Sequence, residues 1–425
     1  MKIKTLLTLS LLVVLGLSSC SINQDSSYIN EQYKTYLRNQ NINKDGKIKN
    51  IILFIGDGMG PNHVSAGEIY KGEQFVFSNN DDPSWTFHGY SNTDSLTSLG
   101  FTLDETKSLL RPEENPSLYD DMPSPYGNSL SSGSITCYTD SAAGGTALST
   151  GIKVTNSRIA KDIFGNDLTS ILDIAHAFNK KTGVVTTDNL AGATPASFLA
   201  NAYERHLYDD IIKSTATSNA DLIIAQTLSN WEDNKSTYED LYKTNGFDNI
   251  AYSLEELNID SNRELCLLPA ILPFGDRTPT LSELTMYALD SLDNENGFFL
   301  MVEGSNIDKQ SHSNQTVAML NELLGFEEAV KQAYMWAKGR DDTLIIVTAD
   351  HETGALYYDR DNTSKETITQ DISWLSYNHS RTRVSVDVYG DISEFISLYS
   401  SSFSLLEGLP YIDNTDVFKL AASYL

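Results

Sequence analysis

Four stretches of the chain are continuously apolar or β-branched instead of alternating with polar residues. They are Ile51–Ile55 in "NIILFIGDGMG", Val184–Thr187 in "TGVVTTDN", Phe298–Val302 in "GFFLMVEG" and Leu344–Thr348 in "DTLIIVTADHETG". Short runs of this kind read as strands buried on both faces, the habit of a parallel sheet covered by helices. Between them lie the helical patterns "DLTSILDIAHAF", "LSELTMYALDSL" and the long stretch Val317–Ala337. The alternation predicts an α/β fold, a three-layer sandwich with a mostly parallel central sheet and helices on both faces. Each apolar run ends at an acid: Asp57, Asp188, Glu303 and Asp350. Ligands of such folds sit beyond the carboxyl ends of the strands.

Three regions depart from this alternation. Residues 72–135 are polar and rich in Ser, Asn, Asp and Pro, and residues 207–280 are insertion-like with some helix. Both are read as elaborations of one domain, 50–425. The first twenty residues, "MKIKTLLTLSLLVVLGLSSC", carry Lys2 and Lys4, an apolar run from Leu6 to Leu17, and small residues before Cys20. The run is too short for a permanent span and is placed as a secretory signal. "LSSC" resembles a bacterial lipobox with Cys20 as the acylated residue; plain secretion with an incidental cysteine is the alternative. Residues 21–49 then read as a tether with a short helix near "INEQYKTYL". A lipid-anchored protein of the cell envelope, facing periplasm or exterior, is expected.

Charge narrows the partners. The 425-residue chain has a formal net charge of −27, and loss of Lys2 and Lys4 with the signal takes it to −29. Such a surface repels nucleic acid, so an anionic substrate must be captured by strong local positive charge. Cys137 and Cys266 allow one bridge but no disulfide framework; two buried thiols are the plainer reading.

Taken singly, the candidate groups are ambiguous. "GDGMG" after a strand can cradle phosphate, or Asp57 can be a turn carboxylate. Asp350 and His351 can ligate metal or close a turn. Asp308 and His312, four apart, share one face of a helical turn, a spacing that surface ion pairs also use. His379 in "YNHSRT" has no partner in sequence. "CYTDSAAGGTALSTG" offers Ser141 as a nucleophile opening a helix, without a G-x-S-x-G elbow or a histidine nearby in sequence. Together, three imidazoles and four carboxylates at strand ends or just after them suit zinc, with a second metal to clamp a transferring phosphoryl group. A bound zinc would remove the need for a histidine base by stabilising the Ser141 alkoxide.

At this point the chain resembles the alkaline phosphatases, from about Asn50 to His379 and in the family's order. The resemblance rests on "GDGMG", "TDSAAGGTA", "GATPA…YER", "VEGSNIDKQSH", "TADHETG" and "NHS". It implies phosphate monoester hydrolysis, with Ser141 forming a phosphoseryl intermediate and Arg205 clamping the phosphate. It further implies two zinc ions, one on Asp308, His312 and His379 and one on Asp57, Asp350 and His351. A magnesium ion would sit on Asp57, Thr194 and Glu303, a set with the oxygen ligands a hard cation prefers.

Several positions depart from the family. Gly192 stands where an acid or imidazole usually flanks the magnesium, so a site short of a side chain and strongly dependent on added magnesium is expected. Gly192→Asp should fit at little steric cost. Lys309, after the ligand Asp308, is expected to reach phosphate through water, and could also repel magnesium. Only 27 residues, 352–378, separate His351 from His379, short for the crown with which the family often builds a homodimer. His63, His88, His176 and His206 match no ligand position. Rival readings are a phosphodiesterase or sulfatase of the same superfamily, a non-catalytic phosphate- or metal-binding envelope lipoprotein, and a structural envelope protein. No C/S-x-P-x-R motif is present for a sulfatase, and Ser141, Arg205 and the full ligand set count against the others.

Overall fold

The computed structural model describes residues 42–43, 46–96, 138–273, 279–399, 404–406 and 408–425. The signal, the tether with its short helix, Cys20, Cys137 and the greater part of 72–135 lie outside the described residues.

The four apolar runs are strands, and they are neighbours. Among the described residues the central sheet comprises β1 (Asn50–Gly56), β2 (Trp85–Asn92), β3 (Lys181–Asn189), β4 (Leu222–Gln226), β5 (Asn249–Ala251), β6 (Glu264–Leu268), β7 (Phe298–Gly304), β8 (Thr343–Thr348), β9 (Val384–Tyr389), β10 (Ser404–Leu406) and β11 (Leu409–Asp413). Their order is β10-β11-β2-β9-β8-β1-β7-β3-β4-β6-β5. The seven strands from β8 to β5 run parallel. Strand β9 is antiparallel to both β8 and β2. The register pairs Ile55 of β1 with Glu303 of β7 and Thr348 of β8, and Thr186 of β3 with Glu303. Four carboxyl ends therefore finish side by side.

Helices α1 (Pro61–Lys71), α2 (Ser141–Thr150), α3 (Ile171–Ala177), α4 (Ala193–Leu199), α5 (Tyr208–Ala216), α6 (Trp231–Thr244), α7 (Leu281–Leu292), α8 (Asn306–His312), α9 (Thr316–Ala337) and α10 (Asn414–Ser423) surround the sheet. Successive residues of a strand point to opposite faces, and β7 shows what each face meets. Phe298 packs on Trp336 of α9, with ring centroids 5.7 Å apart, while Phe299 stacks on Phe198 of α4 at 6.3 Å. Helices α1, α7 and α9 pack on the first face, and α2, α3, α4 and α10 on the second. Both faces of the strand are dry, which is why its apolarity is continuous. Helix ends obey local chemistry: Thr280 and Glu283 form a reciprocal cap on α7, as Ser170 and Asp173 do on α3. Each such cap contributes about 1 kcal/mol.

The segment 207–280 is a correction to the sequence reading. It does not decorate the sheet; β4, β6 and β5 continue it beyond β3. Their runs, "LIIAQ", "NIA" and "ELCLL", have only three to five residues, too short to stand out among polar neighbours and the polar helix α6. Cys266 lies on β6, fully buried as a free thiol, its pKa pushed up to about 12 by that burial.

Candidate active site

Asp57, Glu303 and Asp350 gather at the carboxyl ends of β1, β7 and β8. The "GDGMG" turn after β1 depends on Gly58, whose φ is +73°. A Cβ there would stand 3.0 Å from the Cα of Asp308 and 2.9 Å from Oγ1 of Thr353. Glycine is thus needed both for the left-handed backbone and for close approach to α8. Asp57 is buried, and Glu303, Asp350 and His351 are wholly so.

Ser141 is the first residue of α2. The preceding Asp140 caps the helix, accepting the N–H of Ala143 at 3.0 Å on Oδ1 and that of Ser157 at 2.8 Å on Oδ2. The same Oδ2 accepts Nη1 of Arg205 at 3.2 Å. Arg205, in a turn after α4, is thereby aimed at the helix start that bears Ser141. Burial pulls its pKa down, but Asp140 outweighs this and holds it above the usual guanidinium value. The small side chains of "SAAGG" let α2 lie close against α4.

The missing histidine neighbour of Ser141 comes from 210 residues away. His351 Nε2 lies 3.1 Å from Ser141 Oγ. Hydrogen-bond partners decide the state of all three imidazoles. His312 Nδ1 donates to the carbonyl of Tyr377 at 2.5 Å and His379 Nδ1 to that of Thr139 at 2.6 Å. The Thr353 hydroxyl donates to Asp308 Oδ1, so His351 Nδ1 donates to Thr353 Oγ1 at 3.3 Å. Every Nε2 is therefore a lone pair turned inward. His312 and His379 bring theirs within 3.0 Å of each other, and the His351 and His379 rings stack at 3.6 Å.

Lone pairs and carboxylates brought this close repel one another, and a cation between them would relieve the repulsion. His351 Nε2 stands 3.5 Å from Asp57 Oδ1 and 3.4 Å from Asp350 Oδ2. Asp308 Oδ1 is 3.4 Å from His312 Nε2 and 3.6 Å from His379 Nε2. Tetrahedral ligands about 2.0–2.1 Å from a zinc ion stand about 3.3–3.4 Å apart, so the spacing fits. Two overlapping groups could hold a metal: Asp57, Asp350 and His351, and Asp308, His351 and His379. His312 joins the second by the distances just given. Four buried oxygens of the region have no partner among the described residues: Asp57 Oδ1, Asp350 Oδ2, Thr194 Oγ1 and Glu303 Oε1. Each such orphan costs about 1–3 kcal/mol, a cost that a bound cation removes.

Titration behaviour points the same way. Burial first, then Asp350, Asp308 and Glu303, push the Asp57 carboxyl well above its usual range. Burial and Asp308 take Asp350 to about 7, and burial with Asp188 takes Glu303 to about 8. His351 is driven well below the usual imidazole value by burial and by His379 and His312. Crowded acids resist ionising and crowded imidazoles resist protonation when no cation is present.

Asp57, Asp308, His312, Asp350, His351 and His379 are thus at one place, with Glu303 beside them; Thr194 stands in the first turn of α4 with its hydroxyl buried and unpartnered among the described residues. Lys309 differs from expectation: its ammonium donates to Asp188 Oδ1 at 2.6 Å and to Ser305 Oγ at 3.2 Å. Sequence reasoning missed Thr353, which links Asp308 to His351, and Asp140, which holds Arg205. It also missed Asp188 as a partner of Lys309. Asp140 carried a signal, as an N-cap acid directly before the nucleophile; Thr353 carried none.

Known proteins resemble the chain on this same scaffold. The family model described as alkaline phosphatase matches residues 104–235 and 249–397. The match starts after the "GDGMG" turn, so Asp57 belongs to the site by geometry. Alkaline phosphatase 4 of Bacillus subtilis is 32% identical over 325 residues, covering 72% of this chain. The chain spans 62% of the length of that relative. The alkaline phosphatase of the Antarctic bacterium TAB5 superposes with a TM-score of 0.67 at 26% identity, over 89% of this chain and 98% of that one. A variant of the TAB5 enzyme, solved with magnesium in its M3 site, superposes with a TM-score of 0.65 at 27% identity, over the same shares of the two chains.

Proposed function

Since this chain belongs to the alkaline phosphatase family, we infer that it hydrolyses phosphate monoesters through a phosphoserine on Ser141. The observation that carries this is Ser141 Oγ at a helix start, 3.1 Å from the inward lone pair of His351, with Arg205 held beside it by Asp140.

Arg205 binds two phosphoryl oxygens with its planar fork, and the open amides of the first turn of α2 face the same anion. Asp140 orients both the helix start and the guanidinium. Ser141 Oγ attacks phosphorus in line with the ester oxygen, loses its proton, and the alcohol leaves. Water then attacks the phosphoserine, phosphate departs and Ser141 is restored. Asp308, His312 and His379 would hold one zinc ion; Asp57, Asp350 and His351 a second; Asp57, Thr194 and Glu303 a magnesium ion. These ions would supply Lewis acidity, favouring the deprotonated hydroxyl and offsetting phosphoryl charge. Three imidazole nitrogens suit zinc, and the orphaned oxygens of Thr194 and Glu303 suit magnesium. An alkaline pH optimum follows from the need to deprotonate both serine and water. Cys20 supports a lipid anchor in the cell envelope, with small soluble monoesters as substrates.

The test compares p-nitrophenyl phosphate with its bis ester, alongside metal analysis of the purified protein. Preference for the monoester and an acid-trapped phosphoserine at Ser141 are expected. Preference for the diester would favour a phosphodiesterase, and no turnover with metals bound would favour a binding lipoprotein.

A further inference from the structure

Gly192 closes the loop between β3 and α4, two residues before Thr194. A Cβ on it would stand 2.3 Å from Oδ2 and 2.6 Å from Cγ of Asp188. The space beside this glycine is filled by the Asp188 carboxylate, which reaches it from the end of β3. One oxygen of that carboxylate is fully engaged. Oδ1 accepts the backbone N–H of Asn189 at 2.8 Å, its side-chain amide at 3.1 Å and the Lys309 ammonium at 2.6 Å. Oδ2 accepts no hydrogen bond among the described residues. The Asp188 N–H donates to Thr186 Oγ1 at 2.7 Å, and that hydroxyl donates to Glu303 Oε2. Asp188 is thus tied through one threonine to the buried acid whose Oε1 has no partner, and it lies against the loop that presents the equally orphaned Thr194 Oγ1.

We propose that Asp188 completes the third cation site: its Oδ2 orders the water shell of a magnesium ion held by Asp57, Thr194 and Glu303, Lys309 neutralises it, and Gly192 stays bare to admit it. This rests on the magnesium reading given above. It replaces three expectations from the sequence. The site does not lack a side chain beside Gly192. Gly192→Asp does not fit freely, because its Cβ collides with Asp188. Lys309 does not face the cation as a free charge, because its ammonium is paired with a carboxylate. Asp188 acts here as a positioning residue, not a catalytic one.

The experiment is a calorimetric titration of magnesium into metal-stripped protein reloaded with zinc, with zinc content measured on every sample. Asp188→Asn, nearly isosteric, should weaken the magnesium midpoint by about 10–100-fold with zinc content unchanged. Gly192→Asp alone should not tighten binding. The double variant Asp188→Ala with Gly192→Asp should recover most of the wild-type midpoint, since a carboxylate re-enters the same space from the other backbone. An Asp188→Asn midpoint equal to wild type overturns the proposal, as does tighter binding by Gly192→Asp alone. Loss of zinc in both Asp188 variants would assign the residue to folding and overturn it too. Wild-type protein that binds no magnesium in the millimolar range would overturn the magnesium reading itself, and this inference with it.

Discussion

The two sides of the site are built from different atoms. Around Ser141 the inward groups are imidazole Nε2 atoms interleaved with Asp57, Asp308 and Asp350. Around Glu303 the groups offer oxygens: Glu303 itself, the Thr186 hydroxyl bonded to it and the nearby Asp188 carboxylate, which Lys309 pairs, with Asp57 shared between the two sides. The first side is fixed by rings whose Nδ1 atoms are pinned to carbonyls or Thr353, so the lone pairs cannot turn away. The second is fixed by strand register, with Thr186 and Glu303 opposite each other. On the reading proposed above, a borderline cation with tetrahedral preference would suit the first and a hard, hydrated one the second. The proposed mechanism would then concentrate the chemistry on the nitrogen-rich side and leave the oxygen-rich side to tune charge and order.

That division can be broken in stages. The largest effect should come from Ser141→Ala, which should lower monoesterase turnover by at least about a thousandfold, leaving only positioning and charge stabilisation. Metal analysis should find the ions still bound; loss of metal with activity would mean that Ser141 is structural. Next, His312→Ala should cost close to one zinc equivalent and leave magnesium binding in place, whereas Glu303→Gln should do the reverse. Equal loss of both metals in both variants would erase the distinction between the two sides. Arg205→Ala should cost about 10–100-fold in kcat/KM, the worth of charge-assisted hydrogen bonds of about 1.5–3 kcal/mol. Inhibition by inorganic phosphate should weaken in parallel, and unchanged phosphate inhibition would remove Arg205 from the clamp.

A smaller effect appears in the metal-free protein. Burial, and then Asp188, raise the Glu303 pKa in the folded state from 4.5 to about 8. The unfolded chain therefore releases this proton first, and ionisation of the folded form is resisted. The Glu303 contribution to stability is fully present below about 4.5 and is lost as pH rises toward about 8. Thermal unfolding of metal-stripped protein should show the Tm of the wild type falling over that window relative to the Tm of Glu303→Gln. Metal loading should remove the fall by pairing the carboxylate. Equal dependence of Tm on pH in stripped wild type and Glu303→Gln would contradict the assignment. The smallest effect on catalysis should come from Cys20→Ala: turnover unchanged, with the protein released from membranes in a fractionation assay. Continued membrane association of this variant would sink the anchor proposal.

What the sequence alone determined is the frame of the site. Strands buried on both faces must be continuously apolar, so β1, β3, β7 and β8 announced themselves, and the first acid after each run marked the sheet edge where ligands bind. Asp308 and His312 were legible because one helical turn brings residues four apart together. Helices α7 and α9 were legible from periodicity. Tertiary structure decided the rest, because it depends on register and on contacts between distant segments. Short strands such as β4 and β6 have too few residues to show a pattern and exist because a neighbouring edge is there to pair with. The approach of His351 to Ser141 spans 210 residues, and that of Lys309 to Asp188 spans 121. Gly192 is the plainest case: in the sequence a glycine is an absence of side chain, and only the fold reveals that another residue's carboxylate occupies the space. Local chemistry is written along the chain, but which atom fills a given volume is settled by packing, where no two groups can share one place.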